Sequence, residues 1–256
     1  MGTVVSVDLR CPDEVAGAAA LDAAFGVLRA ADERFSPFRP GSELSRLDRG
    51  EGAPDDVSTD MREVLDIAAR ARAESGGAFD VWSPEGHLDT NGVVKGWAAQ
   101  RAADVLLAAG MTDFCLNAGG DVVARGGPEP GAPCRVAVRD PHDARAVCAV
   151  LDVRDGAVAT SGTYERGAHV WDGRTGSRDL SLVAATVVAA DLVTADVLAT
   201  AVLAMGADGA QWAREHGAAA VLVVPGPGAA GYGCAESETN VRTRSAAGST
   251  SSHSPA

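Results

Sequence analysis

Between Leu192 and Met205 the chain reads LVTADVLATAVLAM, an apolar run in which the one ionisable residue is Asp196. Its spacing predicts a helix from Thr194 to Met205. The wider region, Leu180 to Gly206, is the most apolar in the sequence, but Asp191 and Asp196 break it. It therefore fails the requirement of roughly 18 uninterrupted apolar residues for a membrane span. What remains is an apolar helix of the core carrying a carboxylate, and such a group needs a cation or strong hydrogen-bond donors. Asp196 and Thr200 stand one helical turn apart, so both oxygens project from the same face. Carboxylate plus hydroxyl is hard oxygen ligation, suited to Mg²⁺ rather than zinc. The same residues also read as plain helix-start chemistry, with Thr194 as N-cap and Asp196 favoured by the dipole of the first turn.

Composition sets the frame around that helix. The 256 residues suffice for one large domain or two intimately joined lobes, and 46% hydrophobic content supports a substantial core. Aromatics are only 4%, so the core must be built from Ala, Val and Leu. The net charge of −13 repels phosphate backbones and argues against a nucleic-acid partner. It would equally repel a phosphorylated cofactor unless a cation intervened. The five cysteines are scattered and include no C-x-x-C pair, which indicates neither a zinc site nor a disulfide framework and suits a reducing cytoplasm. Met1 to Asp8 has no basic region before an apolar run, so it does not read as a signal peptide.

Along the chain, residues 3–8 read as a strand and Asp13 to about Arg34 as a helix. Residues 36–52 form a loop rich in Pro, Gly, Ser and Arg. A second helix carries Met61, Val64, Leu65, Ala68 and Ala71 on one stripe and stops at Gly76-Gly77. Residues 76–92 are irregular, and loops that long inside a compact domain are usually functional. Lys95 to Ala109 predicts a helix and Phe114 to Asn117 a strand. Arg135–Val138, Val147–Val153 and Ala157–Ala159 predict an antiparallel unit. Leu182–Ala189 predicts a buried strand, Ala207–His216 a helix, and Ala219–Val224 a last strong strand. Without regular βαβ alternation the fold class is α+β, with mixed or antiparallel sheets flanked by helices. The domain is expected over residues 1–233, with a disordered Ser/Thr-rich tail over 234–256.

Three further stretches could carry chemistry, each with a plainer alternative. His169-Val170-Trp171-Asp172-Gly173 offers a general acid/base, or merely a hairpin with His169 in a strand. Gly76-Gly77-Ala78-Phe79-Asp80 is a glycine-led loop ending in an acid, or a helix stop and turn. Leu88 to Trp97 opens a helix whose backbone and Lys95 could face a phosphate; alternatively Asp89 or Asn91 is a cap and Lys95 a solvated charge. Thr160-Ser161 lacks the nucleophile-elbow pattern, and there is no dinucleotide or Walker glycine loop.

Taken together and in order, six blocks resemble the ApbE-type FAD:protein FMN transferases: residues 35–48, 76–84, 88–110, 116–122, 158–176 and 194–206. The resemblance implies a two-lobed single domain that moves FMN from FAD to a Thr or Ser hydroxyl of an acceptor protein and releases AMP. It implies Mg²⁺, with Mn²⁺ as a substitute, held by Asp196, Thr200 and a backbone oxygen at Gly92. It assigns FAD contacts to Met1, Phe38, Ala78, Phe79, Asp80, Asp89 and Lys95, and places His169 in the transfer step together with Asp196. The acceptor is expected to carry a Ser/Thr-Gly-Ala-Ser/Thr-like segment, which this chain lacks. Departures from the family pattern are Gly173 for the usual Pro, Ser83 for Thr, Gln100 for an acid, and Gly92 with no side-chain oxygen. A metal-dependent FAD pyrophosphatase yielding FMN and AMP, or a flavin-binding protein without turnover, remain alternatives. Many relatives are exported lipoproteins, yet this sequence starts directly at the Met-Gly-Thr strand, so the expected setting is the cytoplasm, or export with a leader removed.

Overall fold

The structure is a computed structural model that describes residues 3–51, 56–129, 131–166, 169–226, 233–236 and 243–245. Its spine is a seven-stranded antiparallel sheet in the order β1-β2-β3-β6-β7-β8-β9. These strands are β1 Val5–Leu9, β2 Phe114–Ala118, β3 Asp121–Arg125, β6 Gly156–Gly162, β7 Leu182–Ala189, β8 Ala220–Pro225 and β9 Gly233–Glu236. A separate sheet, β10-β5-β4, pairs Thr243–Ser245 (β10), Val147–Val153 (β5) and Cys134–Arg139 (β4). All pairings in both sheets are antiparallel.

The expected antiparallel unit is thus divided. β4 and β5 form a hairpin, whereas Ala157–Ala159 belongs to β6 of the large sheet, paired with β3 and β7. The strand β3 is not among those expected: beyond the preceding Gly119-Gly120 turn its signal is only the short run Val122-Val123-Ala124. Of the stretch expected as a tail, Gly233–Glu236 and Thr243–Ser245 contribute edge strands. Edge pairing draws on backbone groups, which composition does not report.

Helices cover one face of the large sheet. They are α1 Glu14–Phe35, α2 Glu43–Asp48, α3 Thr59–Glu74, α4 Asn91–Ala108, α5 Thr163–Arg166, α6 Leu192–Met205 and α7 Gly209–Glu215. The short α2 lies inside the expected loop; the Ser42 hydroxyl caps it by accepting from Ser45 N–H at 3.0 Å. In α1, Asp13 caps the start and Gly17, Ala20, Ala24, Leu28, Ala31 and Phe35 form the buried stripe. Ser58 caps α3, whose buried stripe is Met61, Val64, Ala68 and Ala71 as expected, with Leu65 only half-buried at its edge.

Two of the helices are buried on most of their surface. Val93, Val94, Trp97, Ala98, Ala99, Ala102, Ala103 and Leu106 are buried in α4, and ten of the fourteen residues of α6 are buried. Such extensive burial marks central elements, and small alanines let them approach closely. The helical stretch Leu192–Glu215 does meet a length and mean-hydropathy requirement for crossing a bilayer. However, 61% of its apolar window is buried within the fold, and Gly206, at a positive φ of 77°, ends α6 before α7 begins.

The sheet separates two cores. On the helical side Leu116, Val123, Val187 and Val221 meet α1, α4 and α6. On the other side Val122, Ala124, Val158, Val188 and Leu222 meet Val136, Val138, Leu151 and Val153 of the small sheet. The strand alternation of β2 sorts residues between these two faces, and that of β4 between the second core and solvent.

Candidate functional site

The site begins where α4 crosses α6. A Cβ on Gly96 would sit 2.6 Å from the Leu192 carbonyl oxygen and 2.7 Å from Asp196 Cβ, so the crossing requires glycine. The contact delivers the Gly96 N–H to Asp196 Oδ2 at 2.8 Å. Four residues on, Gln100 Oε1 accepts from Leu192 N–H at 2.9 Å while its amide nitrogen donates to Asp104, which an acid in its place could not do. Asp191, not Thr194, is the N-cap of α6, accepting from Thr194 N–H. The helix therefore starts two residues earlier than expected, and Asp196 lies beyond its first turn. The dipole explanation for Asp196 fails on this geometry.

Asp196 is 1% exposed. Lys95 Nζ stands 3.5 Å from its Oδ1 and 2.6 Å from Asp121 Oδ2, so one ammonium is shared between two buried carboxylates. Burial pushes the Asp196 carboxyl up to about 7; Lys95 opposes that rise and the Asp121 charge adds to it. Asp121 opens β3 after Gly119 and Gly120, whose φ values of 64° and 99° make the turn. Its Oδ1 accepts from Thr160 N–H at 3.1 Å, which ties it to β6. One turn beyond Asp196, Thr200 Oγ1 lies 2.9 Å from Ser161 Oγ of β6. The backbone of Gly92 stands beside Thr200: a Cβ there would lie 3.3 Å from Thr200 Cγ2 and 3.2 Å from the Phe79 ring.

The second wall is the loop between α3 and α4. Gly76 and Gly77 turn it with φ of 61° and 89°, and Ser75 Oγ accepts from Phe79 N–H. Arg72 Nε reaches Asp80 at 2.8 Å. Asp48, at the end of α2, accepts from Leu88 N–H at 2.6 Å, while Asp89 N–H donates to Val81 O. The N-cap position of α4 is Thr90, whose side chain makes no capping bond; Asp89 Oδ1 instead accepts from Asn91 N–H.

The third wall follows β6. His169 is not in a strand, so the hairpin reading fails for it, although Asp172 and Ser177 do form an isolated bridge around the glycine turn. Gly173 N–H donates to Ala78 O at 2.9 Å, and a Cβ there would collide with Gly77 O and Asp80 Cβ. A proline could not make that bond. The departure at Gly173 thus comes with its own tie to the facing loop. Arg174 grips Asp172 through two contacts of 2.8 Å and holds that carboxyl below its usual range.

Ala78, Phe79, Asp80, Asp89, Gly92, Lys95, His169, Asp196 and Thr200 line one cavity, joined by Asn91, Gly119, Thr160, Ser161 and Trp171. Phe38 is not on that wall: it is 86% exposed, and Phe35 lines the cavity instead. Met1 lies outside the described residues. Asp121 and Ser161 received no role from sequence, although both lie within blocks that carried the family resemblance. The fact that Asn117-Ala118-Gly119-Gly120 ends in an acid is the signal that could have found Asp121.

The donor set fits a hard divalent cation. Among the described residues no group of three or more His, Cys, Asp or Glu forms a ready-made cage. Mg²⁺ does not need one, since it keeps waters and takes one or two carboxylates with substrate phosphates. A buried carboxylate, a hydroxyl one turn away and a nearby glycine backbone on a cavity wall meet that requirement. Lys95 neutralises only one of the two acids.

The family model described as "ApbE family" matches residues 1–85 and 82–223. A protein of Vibrio cholerae named FAD:protein FMN transferase is 26% identical over 207 residues, which is 59% of this chain and 62% of the relative. One of the same name from Klebsiella pneumoniae is 33% identical over 152 residues, covering 55% and 43% respectively. The chain thus spans less than two thirds of the length of these curated relatives. The structure of the flavin transferase ApbE from Vibrio cholerae aligns with a TM-score of 0.79 at 24% identity, covering 93% of this chain and 94% of that one. The apo flavinyl transferase ApbE of Pseudomonas stutzeri aligns at 0.76, also at 24% identity, over 93% and 92%. The shared architecture and the match along nearly all of residues 1–223 agree: this chain belongs to the ApbE family.

Proposed function

We propose that this chain is a Mg²⁺-dependent FAD:protein FMN transferase. FAD binds in the cavity between the α3–α4 loop and the β6 side, and a Thr or Ser hydroxyl of another protein attacks the phosphorus of the FMN half. The bond from that phosphorus to the AMP oxygen breaks, FMN stays on the acceptor as a phosphoester, and AMP departs. The relatives carry this activity in their names.

The supporting observation is the convergence of Asp196, Thr200, Lys95 and His169, from well-separated segments, on one cavity. Mg²⁺ held by Asp196, Thr200 and the Gly92 carbonyl would neutralise pyrophosphate charge. Lys95, fixed by Asp121, presents its ammonium to a phosphate oxygen. His169 takes the proton of the acceptor hydroxyl. Ala78, Phe79, Asp80 and Asp89 hold the dinucleotide, and the exposed Phe38 ring packs on it from outside the wall.

The deciding experiment incubates the protein with FAD, Mg²⁺ and a candidate acceptor bearing a Ser/Thr-Gly-Ala-Ser/Thr-like segment. A mass increase of one FMN on the acceptor, with AMP release that depends on the acceptor, is expected. AMP and FMN released equally without acceptor would make the chain a pyrophosphatase, and no AMP at all a flavin binder.

A further inference from the structure

On β6 stands a polar residue to which the proposed function gives no task. Ser161 lines the cavity and is 8% exposed, and its Oγ lies 2.9 Å from Oγ1 of Thr200, the proposed metal ligand on α6. Thr200 is therefore held at both ends. Ser161 fixes its hydroxyl, and its methyl packs against the Gly92 backbone, where a Cβ would come within 3.3 Å. Ser161 is in turn held by the large sheet. It pairs with Ala185 of β7, and the N–H of the preceding Thr160 is tied to Asp121.

Proton counting gives the contact a direction. Two hydroxyls bring two protons, and the hydrogen bond between them uses one. Among the described residues neither hydroxyl has a further hydrogen-bond partner. A hydroxyl oxygen offers lone pairs to a hard cation, so the proton of a ligating Thr200 must point elsewhere. Ser161 Oγ is the acceptor within reach. Thr200 then donates to Ser161, and the proton left over is that of Ser161. A buried donor without an acceptor is costly, and here it sits on the wall of a ligand cavity.

We infer that Ser161 positions the metal ligand and also binds the substrate. Its oxygen accepts the Thr200 proton, which turns the Thr200 lone pairs towards Mg²⁺, and its own O–H donates to a phosphate oxygen of FAD. The inference rests on the proposed function, because the Mg²⁺ and the pyrophosphate belong to that reading. The chain from Thr200 through Ser161 to the phosphate has a cation at one end and an anion at the other. The Thr200 O–H, with a cation on its oxygen, donates more strongly, and the Ser161 O–H does so in consequence. Metal and dinucleotide therefore each tighten the binding of the other through Ser161, and the effect is reciprocal.

The test uses the whole chain, with Mn²⁺ as a spectroscopic stand-in for Mg²⁺. Electron paramagnetic resonance reads Mn²⁺ affinity and flavin fluorescence reads FAD affinity, each with and without the other ligand. The parent should bind each more tightly when the other is present. Ser161→Ala should weaken Mn²⁺ binding by about tenfold or more, the usual effect of removing the partner of a metal ligand. It should also weaken FAD several-fold even in EDTA and lose most of the mutual tightening, while the thermal midpoint of the ligand-free protein stays near the parent's. Thr200→Ala should lose Mn²⁺ affinity but keep its FAD affinity in EDTA, and adding Ser161→Ala to it should cost no further Mn²⁺ affinity. Parental affinities in Ser161→Ala, with or without a lowered thermal midpoint, would overturn the inference and leave the proposed function standing. A further loss of Mn²⁺ affinity in the double variant would overturn it too, since Ser161 would not then act through Thr200. A parent that binds neither Mn²⁺ nor FAD would overturn the proposed function, and this inference with it.

Discussion

At the scale of single residues, the site turns on how one ammonium is divided. Lys95 lies 2.6 Å from Asp121 and 3.5 Å from Asp196, so Asp121 takes most of its charge and leaves Asp196 under-neutralised. Asp196→Ala removes both the proposed metal ligand and a costly buried charge. Flavin transfer should fall to background while the thermal midpoint is retained or rises; a folded variant with parental turnover would remove Asp196 from the site. Asp121→Asn should act differently, because the ammonium is then free to swing onto Asp196. The expected result is a raised KM for FAD with a smaller change in kcat, and a matching increase in the Mg²⁺ needed. An unchanged KM would reduce Asp121 to a structural role. His169→Ala should keep FAD affinity and lose ~10²–10⁴-fold in transfer, the usual contribution of a general acid or base. An undiminished rate would end that assignment. The Asp196–Thr200 pair was legible because helical spacing alone fixes a shared face. Asp121 was not, because its position depends on a glycine turn and on the pairing of β3 with β6, which lie far apart in sequence.

At the scale of elements, the decisive contact is the α4–α6 crossing, and its glycine makes a sharp test. Gly96→Ala places a methyl within 2.6 Å of the Leu192 carbonyl, which the rigid backbone cannot vacate cheaply. A destabilisation of about 1–3 kcal/mol is expected from overpacking, together with loss of transfer as Asp196 shifts. Gly26 in α1 is the control, with only the Arg29 guanidinium at 4.0 Å from its would-be Cβ. Gly26→Ala should stabilise by up to about 1 kcal/mol. Urea unfolding of the two variants separates the effects; equal shifts would mean the crossing is not glycine-limited. Helices with strong periodicity, α1 and α3, were readable from their stripes to within a residue or two. The boundaries of α4 and α6 were read too short at their starts, because buried helices begin where tertiary contacts, such as Gln100 on Leu192 N–H, supply the missing partners. The division of β4, β5 and β6 between two sheets was not legible at all, since local patterning states which face is apolar and not which neighbour covers it.

At the scale of the whole molecule, a net charge of −13 surrounds a cavity that is itself lined by carboxylates. A dinucleotide with a pyrophosphate enters such a field only against repulsion, so binding should depend on a divalent cation more than on any single hydrogen bond. Titration with FAD in Mg²⁺ should give saturable binding that EDTA weakens at least tenfold. Equal affinity and equal turnover under both conditions would sink the metal assignment. The same field bears on the acceptor, whose Ser/Thr-Gly-Ala-Ser/Thr segment the chain does not contain: Gly248-Ser249-Thr250-Ser251 and Thr160-Ser161-Gly162-Thr163 are its nearest approaches, and both lack the Gly-Ala step. In the latter stretch Ser161 is hydrogen-bonded to Thr200 and Thr160 to Thr186, both in or against β6, so their hydroxyls serve the walls of the site. Under the proposed function, transfer is expected to run in trans. Purified protein should release all its flavin on acid precipitation, and a separate protein bearing the segment should acquire the FMN. Flavin that stays covalently on this chain after precipitation would show that it modifies itself, and peptide mapping of its Ser and Thr residues would locate where.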